Sequence, residues 1–160
     1  YLVKSDTIFA KVLSDKGRPF LRSVIVNKGS KHNIALGMVA MDGEYLVGKV
    51  VEVNYFSSRV LLLSDLNSKI PVILEPNGVF SILSGTGKDN GIIQYSKRHE
   101  DITSKSIVYT SGVGSLFKAG IPIGIIKSNN LSEEKKTEFF SDFSQLKFVK
   151  IISFIKDEAK

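Results

Sequence analysis

Residues 24–72 read VIVNKGSKHNIALGMVAMDGEYLVGKVVEVNYFSSRVLLLSDLNSKIPV, and this stretch decides the fold class. Short runs rich in Val, Ile and Leu alternate there with compact polar breaks: Asn27-Lys28-Gly29-Ser30, Asp42-Gly43-Glu44, Ser57-Ser58-Arg59 and Asp65-Leu66-Asn67-Ser68. Apolar runs of that length, bounded by Gly, Asn, Asp and Ser, mark consecutive strands joined by turns. No run holds a 3.6-residue period over the roughly ten positions that a helix requires. The centre of the chain is therefore a β-meander or a small barrel, and it carries no recognisable reaction centre.

Within this stretch Gly29, Gly37 and Gly48 are read as positions set by turn and barrel geometry. Gly48 lies inside a strand pattern, where glycine signals a bulge or the sharp coil that closes a small barrel. Residues 59–63 lack alternation and read as buried on both faces. Pro71 supplies no backbone donor, which places its strand at an edge or the proline at a strand start.

Outward from the centre, residues 7–13 form a strand with Ile8, Ala10 and Val12 on one face and Phe9, Lys11 and Leu13 on the other. Glu75-Pro76-Asn77-Gly78 is the strongest boundary signal. It divides the chain into domains 1–76 and 77–160, with the chain ends free to pair across them. Residues 79–83 and 92–95 read as a hairpin around the tip Gly85-Thr86-Gly87-Lys88-Asp89-Asn90-Gly91. Pro122-Ile123-Gly124-Ile125-Ile126 echoes Leu46-Val47-Gly48-Lys49-Val50, a short hint of internal duplication.

Residues 132–146 are the one place where helix competes. Ser132 suits a cap, Glu133 and Glu134 a first turn, and Phe139, Phe143 and Leu146 fall at i, i+4 and i+7. Adjacent aromatics followed by Ser141-Asp142 limit this to a short helix at most. Residues 148–155 close the chain as a strand, with Phe148, Lys150, Ile152 and Phe154 on one side.

The 160 residues include 22 basic and 16 acidic ones, a formal net charge of +6 that suits a polyanion, an anionic membrane face or simply a solvated surface. The absence of cysteine excludes disulfides, thiolate metal sites and a cysteine nucleophile. No apolar run approaches the roughly 18 residues of a membrane span. Tyr1-Leu2-Val3-Lys4-Ser5-Asp6 is neither a signal peptide nor a natural start, so the chain is expected to be a piece of a longer protein.

Three chemical readings are weighed. His32, Asp65 and Ser111 follow the order His, Asp, Ser that one class of hydrolase triads uses. The surroundings of Ser111, Tyr109-Thr110-Ser111-Gly112-Val113-Gly114, contain neither an Asp-Ser-Gly-Gly nor a GxSxG arrangement. The glycines of the 85–91 tip are spaced one residue too widely for a dinucleotide fingerprint and lead into a strand, not a helix. Single-strand nucleic acid binding would need aromatics interleaved with basic residues on one strand face, and Tyr55-Phe56-Ser57-Ser58-Arg59 reads instead as a turn. Neither histidine, His32 or His99, has metal-ligand spacing around it.

The ordered set Val26-Asn27-Lys28-Gly29-Ser30, Gly37-Met38-Val39, the strand from Leu46 on, Ser58-Arg59-Val60-Leu61-Leu62-Leu63-Ser64-Asp65, Ile70-Pro71-Val72, Thr110-Ser111-Gly112, Gly120-Ile121-Pro122-Ile123-Gly124 and Leu146-Lys147-Phe148-Val149 resembles the extracytoplasmic domain of the bacterial rod shape-determining MreC family. That resemblance implies an all-β fold of two small six-stranded barrels, distantly like those of chymotrypsin-type proteases but without catalytic machinery. It further implies a non-enzymatic scaffold without cofactor or nucleic acid, which organises peptidoglycan synthesis and self-associates. The implied partners are a penicillin-binding transpeptidase, its glycosyltransferase, MreB and MreD. The implied location is the periplasmic face of the inner membrane, with an anchor preceding Tyr1. Ser111, Gly112, Gly120, Pro122 and Gly124 become structural turn and barrel positions in this reading. Exposed aromatics on turns are the usual interface anchors, which nominates Tyr55, Phe56 and Phe117, with Arg59 beside them, unless the rings plug the barrel ends.

Overall fold

A computed structural model describes residues 3–13, 22–94, 96, 102–115, 118–127 and 134–156, the side chains of 3–6 and 155–156 excepted. The described elements are strands β1 (Val3–Leu13), β2 (Ser23–Val26), β3 (Val39–Asp42), β4 (Tyr45–Val53), β5 (Ser58–Leu62), β6 (Lys69–Glu75), β7 (Val79–Gly85), β8 (Asn90–Gln94), β9 (Ile107–Thr110), β10 (Pro122–Lys127), β11 (Lys136–Phe139) and β12 (Phe148–Lys156), with single 3-10 turns between some of them. They close into two antiparallel six-stranded barrels, in the orders β1-β12-β3-β4-β5-β2 and β10-β11-β8-β7-β6-β9. Closure removes the unpaired edges that a small open sheet would expose.

The two barrels follow one path. Take β12 as the first strand of barrel one, followed by β1 to β5, and β6 to β11 as the strands of barrel two. In both, the first strand pairs with the second and fourth, the third with the sixth, and the fifth with the fourth and sixth. Barrel one thus takes its first strand from the far end of the chain, through a long antiparallel pairing from Val3↔Lys156 to Lys11↔Phe148. The short sequence echo falls on equivalent strands. β4 carries an extra residue, Val47, opposite Ala40 and Met41. β10 carries Ile123 in the same way opposite Val108 and Tyr109. In each strand the next residue is the glycine. A Cβ on Gly48 would collide with the Leu61 carbonyl of β5, and one on Gly124 with the Glu138 carbonyl of β11. The bulge expected at Gly48 is displaced to its neighbour, and the glycine is needed because the following strand comes so close.

Val26, Ala40, Val47, Val50, Val60 and Ile151 fill barrel one. Ile70, Val72, Leu74, Leu83, Val108 and Ile126 belong to the core of barrel two. The second cluster does not stop at its own barrel. It continues through Val39, Met41, Leu46 and Ile152, which belong to strands of barrel one and are buried with it. Phe143 packs against both clusters and stacks on Phe139, ring centroids 4.8 Å apart. One apolar layer joins the barrels.

Two expectations need correction, and a third that the sequence leaves open is decided. The boundary at 76/77 falls inside the β6–β7 hairpin, because β6 belongs to barrel two; the chain changes barrels between Leu62 and Lys69 and returns at β12. Hairpin turns and linkers draw on the same residues, so Pro-Asn-Gly could not tell them apart. Pro71 is not on an edge. Its carbonyl accepts from the Ser111 N–H just beyond Val72↔Thr110, so its missing donor falls where β9 has ended. Over 132–146, where a short helix at most is expected, the described residues hold β11 and one 3-10 turn at Phe143–Gln145. Thr137 and Phe139 are buried while Lys136 and Glu138 are exposed, a two-residue period imposed by insertion between β8 and β10. Ser132 and Glu133 lie outside the described residues.

Candidate interaction surfaces

The Asn-Lys-Gly-Ser segment after β2 is a cradle for the β4–β5 turn. Ser30 and Lys31 donate their backbone N–H groups to the carbonyls of Asn54 and Tyr55, at 2.9 and 3.0 Å. The Ser58 hydroxyl donates to the Lys28 carbonyl at 2.8 Å. Gly29 lies so close beneath the turn that a Cβ there would enter the carbonyl oxygens of Asn54 and Tyr55. The turn presents Tyr55 and Phe56, each 60% exposed, so neither ring is core. The rings meet edge to face at 4.6 Å between centroids, and the Lys31 ammonium lies 5.1 Å from the Phe56 ring centre. Contacts of this kind hold the two rings in a fixed relation to each other.

Arg59 behaves differently from its nomination. It is 8% exposed, and its guanidinium is held by Glu52 at 3.3 Å and by the Ser23 hydroxyl at 2.8 Å. Arg59 supports the wall of barrel one and presents no contact surface. Phe117 lies outside the described residues.

The crossing between barrels is organised by Asp65, which is buried. Its carboxylate accepts from the backbone N–H of Arg22 at 2.7 Å and of Asn67 at 2.8 Å. Arg22 also donates to the Ser64 hydroxyl and pairs with Asp89 at the tip of the β7–β8 hairpin, so one side chain ties the crossing to both barrels. On the opposite passage, the Ser141 hydroxyl donates to Asp42 at 2.7 Å and Tyr45 meets Phe140 at 5.1 Å. Asp142 starts the 3-10 turn there. The Ser144 hydroxyl and then the Ser144 backbone N–H donate to its carboxylate and hold its pKa below the usual carboxylate range.

Barrel two holds the other nominated positions, apart from Gly37 just ahead of β3 in barrel one. Thr110, fully buried, donates its hydroxyl to the Lys118 carbonyl and accepts from the Ile121 N–H at 2.9 Å. Thr110 is the member of the Thr-Ser-Gly motif that holds this turn. Gly37, Gly112 and Gly120 have φ of 86°, 76° and 87°, a backbone region that favours glycine. Pro122 opens β10.

His32, Asp65 and Ser111 are not joined to one another by any described hydrogen bond. His32 Nδ1 accepts from the Gly29 N–H at 3.2 Å, Asp65 serves the crossing, and the Ser111 hydroxyl accepts from the Val113 N–H at 3.2 Å. Each is committed to its own turn. Among the described residues no group of three or more His, Cys, Asp or Glu side chains converges on a metal position, and no helix is long and apolar enough to cross a membrane.

Residues 12–153 match the family model of the rod shape-determining protein MreC, barrel core. The chain belongs to the MreC family. The cell shape-determining protein MreC of Cereibacter sphaeroides is 31% identical over 141 residues, covering 88% of this chain and 47% of that protein. The chain spans less than half the length of the curated relatives it matches. The crystal structure of MreC from Pseudomonas aeruginosa superposes with a TM-score of 0.82 at 25% identity, over 91% of this chain and 98% of that one. MreC from Helicobacter pylori, solved in complex with the penicillin-binding protein PBP2, shares the fold at 17% identity with a TM-score of 0.69, over 92% and 98% of the two chains. The two-barrel fold is that of the MreC structures, and the family is one of cell shape-determining proteins.

Proposed function

We propose that this chain is a non-enzymatic scaffold domain of the cell-elongation machinery, which holds a penicillin-binding transpeptidase at a fixed place on its surface. It orders peptidoglycan synthesis along the cell and thereby rod shape. The observation that carries this reading is the Tyr55-Phe56 pair. In a chain of the MreC family, two aromatic rings stand exposed on a turn whose backbone is cradled by four hydrogen-bonding and close-packing positions, Lys28 to Lys31. Preorganised aromatic anchors of that kind dominate protein interfaces. The Helicobacter pylori complex of PBP2 with MreC supports the choice of partner. The glycosyltransferase of the same machinery, MreB and MreD complete the assembly in this reading, as does self-association into dimers or longer arrays. The domain works on the periplasmic side of the inner membrane, carried by an anchor in another part of the protein.

The test is capture of the cognate transpeptidase ectodomain by this chain. Tyr55→Ala with Phe56→Ala weakens capture by about tenfold or more, as expected for paired hot-spot rings. Unchanged capture would sink the assignment of this turn.

A further inference from the structure

The face that the fold leaves least explained is the outside of the β1–β12 ribbon. On β1, Ile8 and Ala10 point into barrel one with its core, so Phe9 and Lys11 alternate outward with Thr7 and Leu13. On β12, Val149 and Ile151 point inward, so Phe148 and Lys150 point outward. The register pairs Phe9 with Lys150 and Lys11 with Phe148. The two Phe side chains therefore spring from one diagonal of the ribbon and the two Lys side chains from the other, with their Cβ atoms within about 8 Å of one another. Phe9 is 69% and Phe148 64% exposed, the most exposed aromatic side chains among the described residues. Outward positions on antiparallel strands that face water are ordinarily polar.

We propose that this checkerboard docks barrel one onto an anionic phospholipid surface. Around the four residues the charge has one sign: residues 7–13 and 148–154 contain Lys11 and Lys150 and no carboxylate, Asp6 being the one carboxylate further along β1, and neither lysine is ion-paired among the described residues. Both rings stand on the outer face of a two-stranded ribbon and project from it. A fluid bilayer accepts two projecting rings without a complementary shape while its phosphates meet the lysines. A nucleic acid single strand is the poorer fit, because such strands are tracked along a basic groove with bases stacked in succession. This contact is additional to the transpeptidase reading and uses a different face from Tyr55-Phe56.

The experiment is co-sedimentation of this chain with vesicles of phosphatidylglycerol and phosphatidylcholine, against vesicles of phosphatidylcholine alone. The chain sediments with the anionic vesicles, and added salt releases it. Lys11→Gln with Lys150→Gln lowers the partition coefficient by about thirtyfold, from roughly fivefold per lysine. Phe9→Ser with Phe148→Ser lowers it while the thermal unfolding midpoint holds, since both rings are exposed in the fold. Tyr55→Ala with Phe56→Ala leaves vesicle binding intact while losing the transpeptidase, so failure of one reading is distinguishable from failure of the other. Equal sedimentation of wild type and both patch variants would overturn the proposal, as would no sedimentation with anionic vesicles at all. Retention of a single-stranded oligonucleotide that depends on the same four residues would also overturn it, in favour of nucleic acid.

Discussion

At Gly29 and Gly124 the missing side chain is what the fold uses. A methyl group at Gly29 would enter the Asn54 and Tyr55 carbonyls, and one at Gly124 the Glu138 carbonyl, and backbone held by hydrogen bonds cannot step aside cheaply. Ala at either position is expected to cost about 1–3 kcal/mol, measured by urea unfolding. The two variants should separate in function. Gly29→Ala moves the turn that carries Tyr55 and Phe56 and weakens transpeptidase capture, whereas Gly124→Ala in barrel two does so far less at equal stability. Asp142 offers a second residue-scale check. Its lowered pKa means that its favourable contacts with Ser144 are present above the ordinary carboxylate range and are lost as pH falls through the depressed value. An NMR titration should therefore place its midpoint below that of a free aspartate, and Ser144→Ala should raise it. Much at this scale was legible: the glycines stood out as interruptions of strand patterns. The reason for them was not, because the atoms that forbid a Cβ belong to Asn54, Leu61 and Glu138, far away in sequence or across a turn.

Among the strands, β12 decides most. It buries Val149, Ile151 and Ile152, and it closes barrel one by pairing with β1 and β3. Burial of three aliphatic side chains contributes about 5–8 kcal/mol, comparable with the whole stability of a small domain. A chain ending before Phe148 is therefore expected to lose the hydrogen-exchange protection of β1 to β5, while the wild-type chain protects them. Retained protection in the truncated chain would show that barrel one closes without its last strand. The sequence patterns of β2 to β5 and of the β7–β8 hairpin are local, with turns of Gly, Asn, Asp and Ser between them, and so they were readable. The pairing of residues 3–11 with 148–156 has no local signature. Neither does the insertion of β11 between β8 and β10, where the aromatic spacing of Phe139, Phe143 and Leu146 imitates a helix.

Because the apolar layer of barrel two runs on through Val39, Met41, Leu46 and Ile152 of barrel one, the core of barrel two cannot melt without exposing part of barrel one. The polar ties reinforce this from both sides, Arg22 with Ser64 and Asp89 on one and Ser141 with Asp42 on the other. Such a molecule should unfold in one calorimetric transition whose van't Hoff and calorimetric enthalpies agree. Met41→Ser with Leu46→Ser removes apolar contact from the shared layer, and the transition should then divide in two. Val60→Ala, inside barrel one, should lower the midpoint without dividing it, because the cavity it leaves weakens one core and spares the joint. Two transitions in the wild-type chain would instead mean barrels that move independently. The distinction bears directly on scaffolding. Tyr55-Phe56 and the β1–β12 ribbon, the two contacts proposed above, both sit on barrel one, and anything held by barrel two would be positioned relative to them by this joint. A single transition in wild type, with loss of transpeptidase-dependent order in the Met41→Ser/Leu46→Ser variant despite intact capture, would show that the joint carries the geometry.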